Sequence, residues 1–291
     1  MQLVIHAGAH CTDENRLVKC LIRNGEALGK IGVAAPKPSM YRKLLREASA
    51  AVPAGRASTD ARDILLDAIL EDEVATRVVL SNDNFFGVPT MAVSGGALYP
   101  HAVRKLERLQ TLFAGDEMEL FLSIRNPATF LPAVFERSKN KDFALFLEGS
   151  DPRTLFWSDL IGDIREALPD VPVTVWCNED TPLIWSQIVR DISGLEPNHK
   201  IKGGYEILSS IMSKEGLQRF RGYLKDHPDM NEIQIRRVIS AFLDKFAREE
   251  AIEEEVDLPG FDAALVAQLT EQYEDDLFAI QRIPGVEVIL P

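Results

Sequence analysis

Short, nearly unbroken apolar runs alternate with longer amphipathic stretches from the first residues to about residue 195. The apolar runs fall at 2–8 (QLVIHAG), 31–34 (IGVA), 77–82 (RVVLSN), 117–125 (EMELFLSIR) and 171–178 (VPVTVWCN). A strand with one wet face would alternate apolar and polar residues. These runs do not, so both faces are expected to be covered, as in parallel strands between layers of helices. The stretches between them predict helices near 14–28, 39–51, 60–73, 99–113, 128–139, 153–168 and 181–193. Asp13 and Asp60 are expected N-caps, and Gly25, Gly115 and Gly194 expected stops. Alternation of this kind predicts a three-layer α/β fold built on a parallel sheet.

After Pro197 the pattern changes. Residues 204–250 and 261–281 read as charged helices, interrupted by Leu-Pro-Gly at 258–260. The run REEAIEEE at 248–255 reads as a solvated face. VEVIL at 286–290 predicts a last strand added to the sheet. The expected organisation is a single α/β domain over 1–291, with a nucleotide-binding-like core in 1–195. A mostly helical extension, 196–291, would pack on that core. The chain shows no internal repeat and no low-complexity tract.

A length of 291 residues allows a sizeable core. The formal net charge of -13 argues against general affinity for nucleic acid or anionic membranes, while leaving room for one local basic pocket. The three cysteines, Cys11, Cys20 and Cys177, form neither a disulfide framework nor zinc spacing. With no apolar segment of about 20 residues and no signal-peptide pattern, they read as reduced thiols of a cytoplasmic protein.

The opening stretch, LVIHAGAHCTDENRLVK, carries the candidate chemistry. A parallel strand that turns directly into a helix presents free backbone N–H groups and a helix dipole, which favour an anion. A phosphate loop adds glycines and a lysine. Here Gly8 stands before the turn, Cys11 where a lysine is expected, and Thr12 can donate its hydroxyl. Asp13 and Glu14 would repel a polyanion unless they act as caps or point away. On the residues alone, an anion site and an ordinary strand-to-helix connection both remain open.

The stretch resembles the opening motif of the bacterial and Golgi-type sulfotransferases, roughly HxGxHKTGTT. His6, Gly8, His10 and Thr12 stand in place; Cys11 replaces the lysine, and Asp13, Glu14 and Asn15 replace Gly-Thr-Thr. VVLSNDNF at 78–85 and LFLSIRNPATFLPAVFERSKN at 120–140 are similar to later segments of that family, in the same order. Arg125 and Pro127 match the family's RDP segment, and Ala133 stands where its serine would be. PVTVWCNEDTPLIW at 172–185 resembles a further strand and loop. The likeness spans roughly residues 1–195, with a weaker helical match near 265–290.

The resemblance implies a P-loop-like, sulfotransferase-like fold that binds PAPS (3'-phosphoadenosine 5'-phosphosulfate) as co-substrate. The cofactor-binding residues it implies are Gly8, Ala9, His10, Cys11, Thr12, Asp13, Glu14, Asn15 and Arg16, with Arg125 on the 3'-phosphate. Asp83, or alternatively His10, would act as base towards a hydroxyl or amine of a small-molecule or glycan acceptor. Sulfuryl transfer needs in-line positioning, a base and cations on the leaving phosphate. Loss of one such stabiliser costs on the order of 3 kcal/mol, and only Arg16 or Lys19 stands near enough in sequence to replace the missing lysine.

Other residues have plainer readings. Cys11 lacks a sequence-evident His–Asn partner for thiol chemistry. Trp157, Trp176 and Trp185 fall at core spacing, and IKGGYE at 201–206 reads as a turn, although the family often places a lysine and glycine loop near the 3'-phosphate. The acceptor pocket is expected from 36–60, 85–100 and 200–230, with Phe85, Phe86, Tyr99 and Tyr205 as aromatic lining. The rival function is a non-catalytic relative that binds a ligand or partner through the same cleft. A kinase is disfavoured by the absence of GxxxxGK[ST].

Overall fold

The computed structural model describes residues 1–52, 60–71, 73–197, 199–251, 258 and 260–291. Its strands are β1 (Gln2–His6), β2 (Val33–Ala34), β3 (Arg77–Ser81), β4 (Val93–Ser94), β5 (Ala97–Leu98), β6 (Glu117–Ile124), β7 (Val173–Cys177) and β8 (Val286–Ile289). Six of them form one parallel sheet in the order β2-β3-β1-β6-β7-β8, while β4 and β5 pair as a separate hairpin.

The helices, in chain order, are α1 (Arg16–Arg23), α2 (Gly25–Gly29), α3 (Pro38–Ala51), α4 (Ala61–Leu70), α5 (Ala102–Leu112), α6 (Pro127–Ser138), α7 (Phe143–Phe146), α8 (Trp157–Ala167), α9 (Thr181–Ser193), α10 (Leu208–Ile211), α11 (Lys214–Asp226), α12 (Glu232–Phe246) and α13 (Ala263–Ile280).

The unbroken apolar runs have the expected cause. Successive side chains of a strand point to opposite faces. Leu3, Ile5, Leu80 and Leu122 meet one buried cluster, filled by α3 to α8 and α13. Val4, Val79, Phe121 and Trp176 meet a second, filled by α1, α2 and α9. The three-layer α/β reading is therefore correct. Strand β8 extends the sheet beside β7, as the VEVIL run predicts. Helices α10 to α12 gather around a small cluster of their own, centred on Phe220 and Ile239.

Several element boundaries differ from expectation, each for a local reason. The helix expected over 14–28 cannot start before Arg16, because Glu14 and Asn15 have left-handed φ values of 51° and 61°. It divides at Asn24, whose side chain clamps Lys202 through N–H···O bonds of 2.9 Å in each direction. Thus Gly25 opens a short second helix rather than simply ending the first. Gly194 does end α9 in the left-handed conformation, φ 65°.

The helix expected from 99 begins at Ala102 after Tyr99 at φ 46°. The 204–250 stretch breaks into three helices, with Ser213 and Asn231 as side-chain caps. The hairpin at Ser94-Gly95-Gly96-Ala97 was not expected, although Gly-Gly between short runs is a recognised hairpin signal. Residues 252–255 of the acidic run, Pro259, Asp72 of the 60–73 helix and residues 53–59 of the 36–60 segment lie outside the described residues.

Gly216 shows how closely α11 and α12 approach. A Cβ on it would lie 2.3 Å from Phe246 Cβ. Gly216→Ala is expected to lower the urea midpoint by about 1 kcal/mol equivalent or more, through overpacking. An unchanged midpoint would show that α12 shifts at no cost.

Candidate functional site

The connection leaving β1 runs to β2 on one side of the sheet, and the one leaving β6 runs to β7 on the other. The connections leaving the adjacent strands β1 and β6 therefore part at the carboxyl edge of the sheet, where open α/β sheets hold ligands. A cleft of about 310 Å³ opens there. It is walled by the loop and first turn after β1, by Ser123 and Arg125 at the end of β6, by Trp176 near the end of β7, and by Asn178 and Thr181 after it.

The loop itself is tightly determined. Ala9 N–H donates to the Ser123 carbonyl at 3.1 Å, and the Thr12 hydroxyl donates to the Ala9 carbonyl at 2.7 Å. Gly8, Cys11, Glu14 and Asn15 all have positive φ. Asp13 does cap the helix, though not as its boundary residue. Its carboxylate accepts the Leu17 N–H at 2.8 Å and a further bond from the Asn15 amide. Burial raises its pKa to about 6, against the pull of the Leu17 amide and the Arg16 charge. Glu14 turns outward to Arg16, 3.2 Å away, so the guanidinium nearest in sequence to the place of the missing lysine is already paired. Of the predicted cofactor-binding residues, Cys11, Thr12, Asp13, Glu14, Arg16 and Arg125 line the cleft, whereas Gly8, Ala9, His10 and Asn15 do not.

Arg125 reaches the loop, as expected of a strand-end guanidinium beside the first turn. Its Nη1 donates to the Cys11 carbonyl at 2.6 Å and its Nε to the Thr129 hydroxyl at 3.0 Å. The next amide, Asn126 N–H, donates to Glu179 Oε1 at 2.8 Å, and Tyr273 donates to Glu179 Oε2 at 3.2 Å. Burial raises the Glu179 pKa. The starts of α1 and α6 thus each hold a carboxylate of the chain itself.

The predicted bases lie behind the loop and outside the cleft lining. Asp83 Oδ2 pairs with Arg137 Nη2 at 2.5 Å, and its Oδ1 accepts from the Asn84 amide at 2.7 Å. His10 has no exposed surface. Its Nδ1 is 2.7 Å from the Tyr99 hydroxyl and its Nε2 3.4 Å from Asn84 Oδ1. Burial lowers its pKa, opposed by Asp83, so it is a neutral imidazole at neutral pH. The Cys11 thiol is raised by burial and drawn back by Arg137, a net rise that keeps it protonated.

Sequence reasoning missed Ser123, Asn178 and Thr181. Ser123 and Thr181 line the cleft; their oxygens, Ser123 Oγ and Thr181 Oγ1, are buried and, among the described residues, have no hydrogen-bond partner. His6 Nε2 is likewise unpartnered, with its ring stacked on Trp176 at 5.6 Å and its pKa lowered by burial to about 4. Buried polar atoms are nearly always paired with protein, water or ligand. A single serine inside the apolar run LFLSIR was the readable signal.

The remaining candidates resolve simply. The Lys202 backbone N–H and carbonyl are both bonded to Asn24, and the carbonyls of Gly203 and Gly204 accept from Trp185 and Ser186, so the backbone of IKGGYE is held as a structural turn. Trp157, Trp176 and Trp185 are all buried, the last two beside the cleft. Phe86 and Tyr99 are core residues and Tyr205 packs on Phe220; Phe85 lines the cleft between α3 and α5. Among the described residues no helix is long and apolar enough to cross a membrane, and no group of three His, Cys, Asp or Glu is placed to hold a metal ion. The chain matches no protein-family profile, no curated protein and no solved structure.

Proposed function

We propose that this chain is a sulfotransferase-like protein that has kept the cleft of its fold without phosphosulfate chemistry, and that the cleft binds a small hydroxyl-bearing molecule non-catalytically. One observation carries the reading: the Asp13 carboxylate occupies the α1 amides that a phosphosulfate would need. A helix N-terminus that already holds a buried carboxylate offers a polyanion repulsion instead of hydrogen bonds. The residues present do not fit PAPS, because the loop lysine is Cys11, the α6 amide is taken by Glu179, and Asp83 is ion-paired.

The unpartnered hydroxyls of Ser123 and Thr181 support the ligand class, since each can both donate to and accept from a hydroxyl. PAPS-dependent transfer is the second reading, favoured by the contact between Arg125 and the Cys11 carbonyl.

Calorimetric titration with adenosine 3',5'-bisphosphate at pH 7.5 separates the two. No heat of binding is expected up to millimolar nucleotide. Micromolar binding that disappears in Arg125→Ala would overturn the reading and restore the nucleotide site.

A further inference from the structure

A second cleft, of about 680 Å³, lies between α3, α5 and the loop after β3. Its lining shares no residue with the cleft at β1 and β6. Five cations face it: Arg42, Lys43 and Arg46 from α3, with Lys105 and Arg108 from α5. No Asp or Glu is among the lining residues, in a chain whose formal net charge is -13. Among the described residues, Lys43 alone of the five has an ion pair, to Glu47 at 3.9 Å.

Arg42 and Arg46 stand one turn apart on α3, and Lys105 and Arg108 nearly so on α5. Like charges at such spacing destabilise a helix slightly. Gly87 keeps room for one of them: a Cβ there would sit 3.1 Å from Met91 and 3.6 Å from Lys105 Nζ. Phe85, stacked parallel to Tyr41 at 6.5 Å, and Met91 supply an apolar wall.

We propose that this cleft binds a small molecule carrying two or more phosphate or sulfate groups on a compact ring or chain. Two cationic pairs on facing helices match clustered oxyanions, and the apolar wall matches the ring that carries them. The site is independent of the ligand proposed for the first cleft.

The test is calorimetric titration of the full chain with inositol hexakisphosphate and, separately, sucrose octasulfate, at pH 7.5 and about 0.1 M salt. At least one is expected to bind at micromolar affinity, and the tighter of the two identifies phosphate or sulfate as the preferred group. The double variant Arg42→Glu, Arg46→Glu is expected to weaken binding about tenfold or more, since it replaces attraction with repulsion. Lys105→Gln is expected to weaken it less, in the same direction. A matched reversal on α11, Arg221→Glu with Lys225→Glu, is expected to leave it unchanged. No binding of either probe at millimolar concentration would overturn the proposal. So would an equal loss in the α11 variant, which would reveal diffuse charge attraction rather than a site.

Discussion

Trp157→Ala is expected to destabilise the protein by about 4 kcal/mol, at the upper end for a single core truncation. The side chain has no exposed surface. It meets Phe130 edge-on at 5.0 Å and Tyr99 at 6.2 Å. Its indole N–H donates to the Arg125 carbonyl at 2.9 Å. Truncation leaves a cavity among rings that cannot close it, and it strands that carbonyl beside the cleft.

For a domain of this size the loss corresponds to a fall of roughly 8–16 °C in thermal midpoint. Trp157→Phe keeps one ring and loses the hydrogen bond, so about half the effect is expected. Circular dichroism during thermal and urea unfolding checks both. A loss under about 1 kcal/mol for the alanine variant would show that the layer repacks around the gap. The same indole ties core packing to site geometry, because it fixes the backbone from which the Arg125 side chain reaches Cys11.

That coupling also explains which parts of the molecule could be read from the chain. The sheet was legible because burial on both faces keeps β1, β3, β6 and β7 mostly apolar, whatever the loops do. The nearness of Arg125 to the first turn was legible because β1 and β6 are neighbours and both residues follow strand ends. What each polar group bonds to was not legible. Asp13 reads equally well as a cap or as a repelling charge until its carboxyl is seen on the Leu17 amide. Asp83 reads as a base until Arg137, on a distant helix, is found 2.5 Å away. The partner of Asn126 is Glu179, remote in sequence, and no local periodicity encodes that contact. Ser123 stood in plain view, but an isolated serine in a strand becomes meaningful only when its hydroxyl is seen to lack a partner.

One pattern joins these contacts. Carboxylates close three helix starts: Asp13 at α1, Glu179 at α6 and Asp276 at α8, where Asp276 accepts the Trp157 N–H at 2.7 Å. Each meets the partial positive charge of a helix N-terminus from inside the fold. An acidic chain thereby satisfies its own anion sites, while five cations line a different cleft, between α3 and α5.

The Asp13 carboxylate is expected to occupy its place at a cost in stability, and Asp13→Asn measures that cost. Its pKa rises from 3.8 unfolded to about 6 folded. Between those values the native state holds the proton more tightly than the unfolded state. Stability therefore falls as pH rises from about 4 to 6, and the full cost is present above 6. The shift is equivalent to roughly 3 kcal/mol, and solvent at the partly exposed cleft rim reduces this to about 1.5 kcal/mol.

Asparagine keeps an oxygen for the Leu17 amide and has no charge to desolvate. Asp13→Asn is accordingly expected to raise stability by about 1.5 kcal/mol at pH 7.5 and by little at pH 4, as read by urea unfolding across the range. Combined with Cys11→Lys, it also restores the charge balance of a phosphate loop, so adenosine 3',5'-bisphosphate is expected to bind the double variant and not the parent. If the stability difference were the same at pH 4 and pH 7.5, the carboxyl would not be titrating inside the helix start, and the case for a self-occupied loop would fall with it.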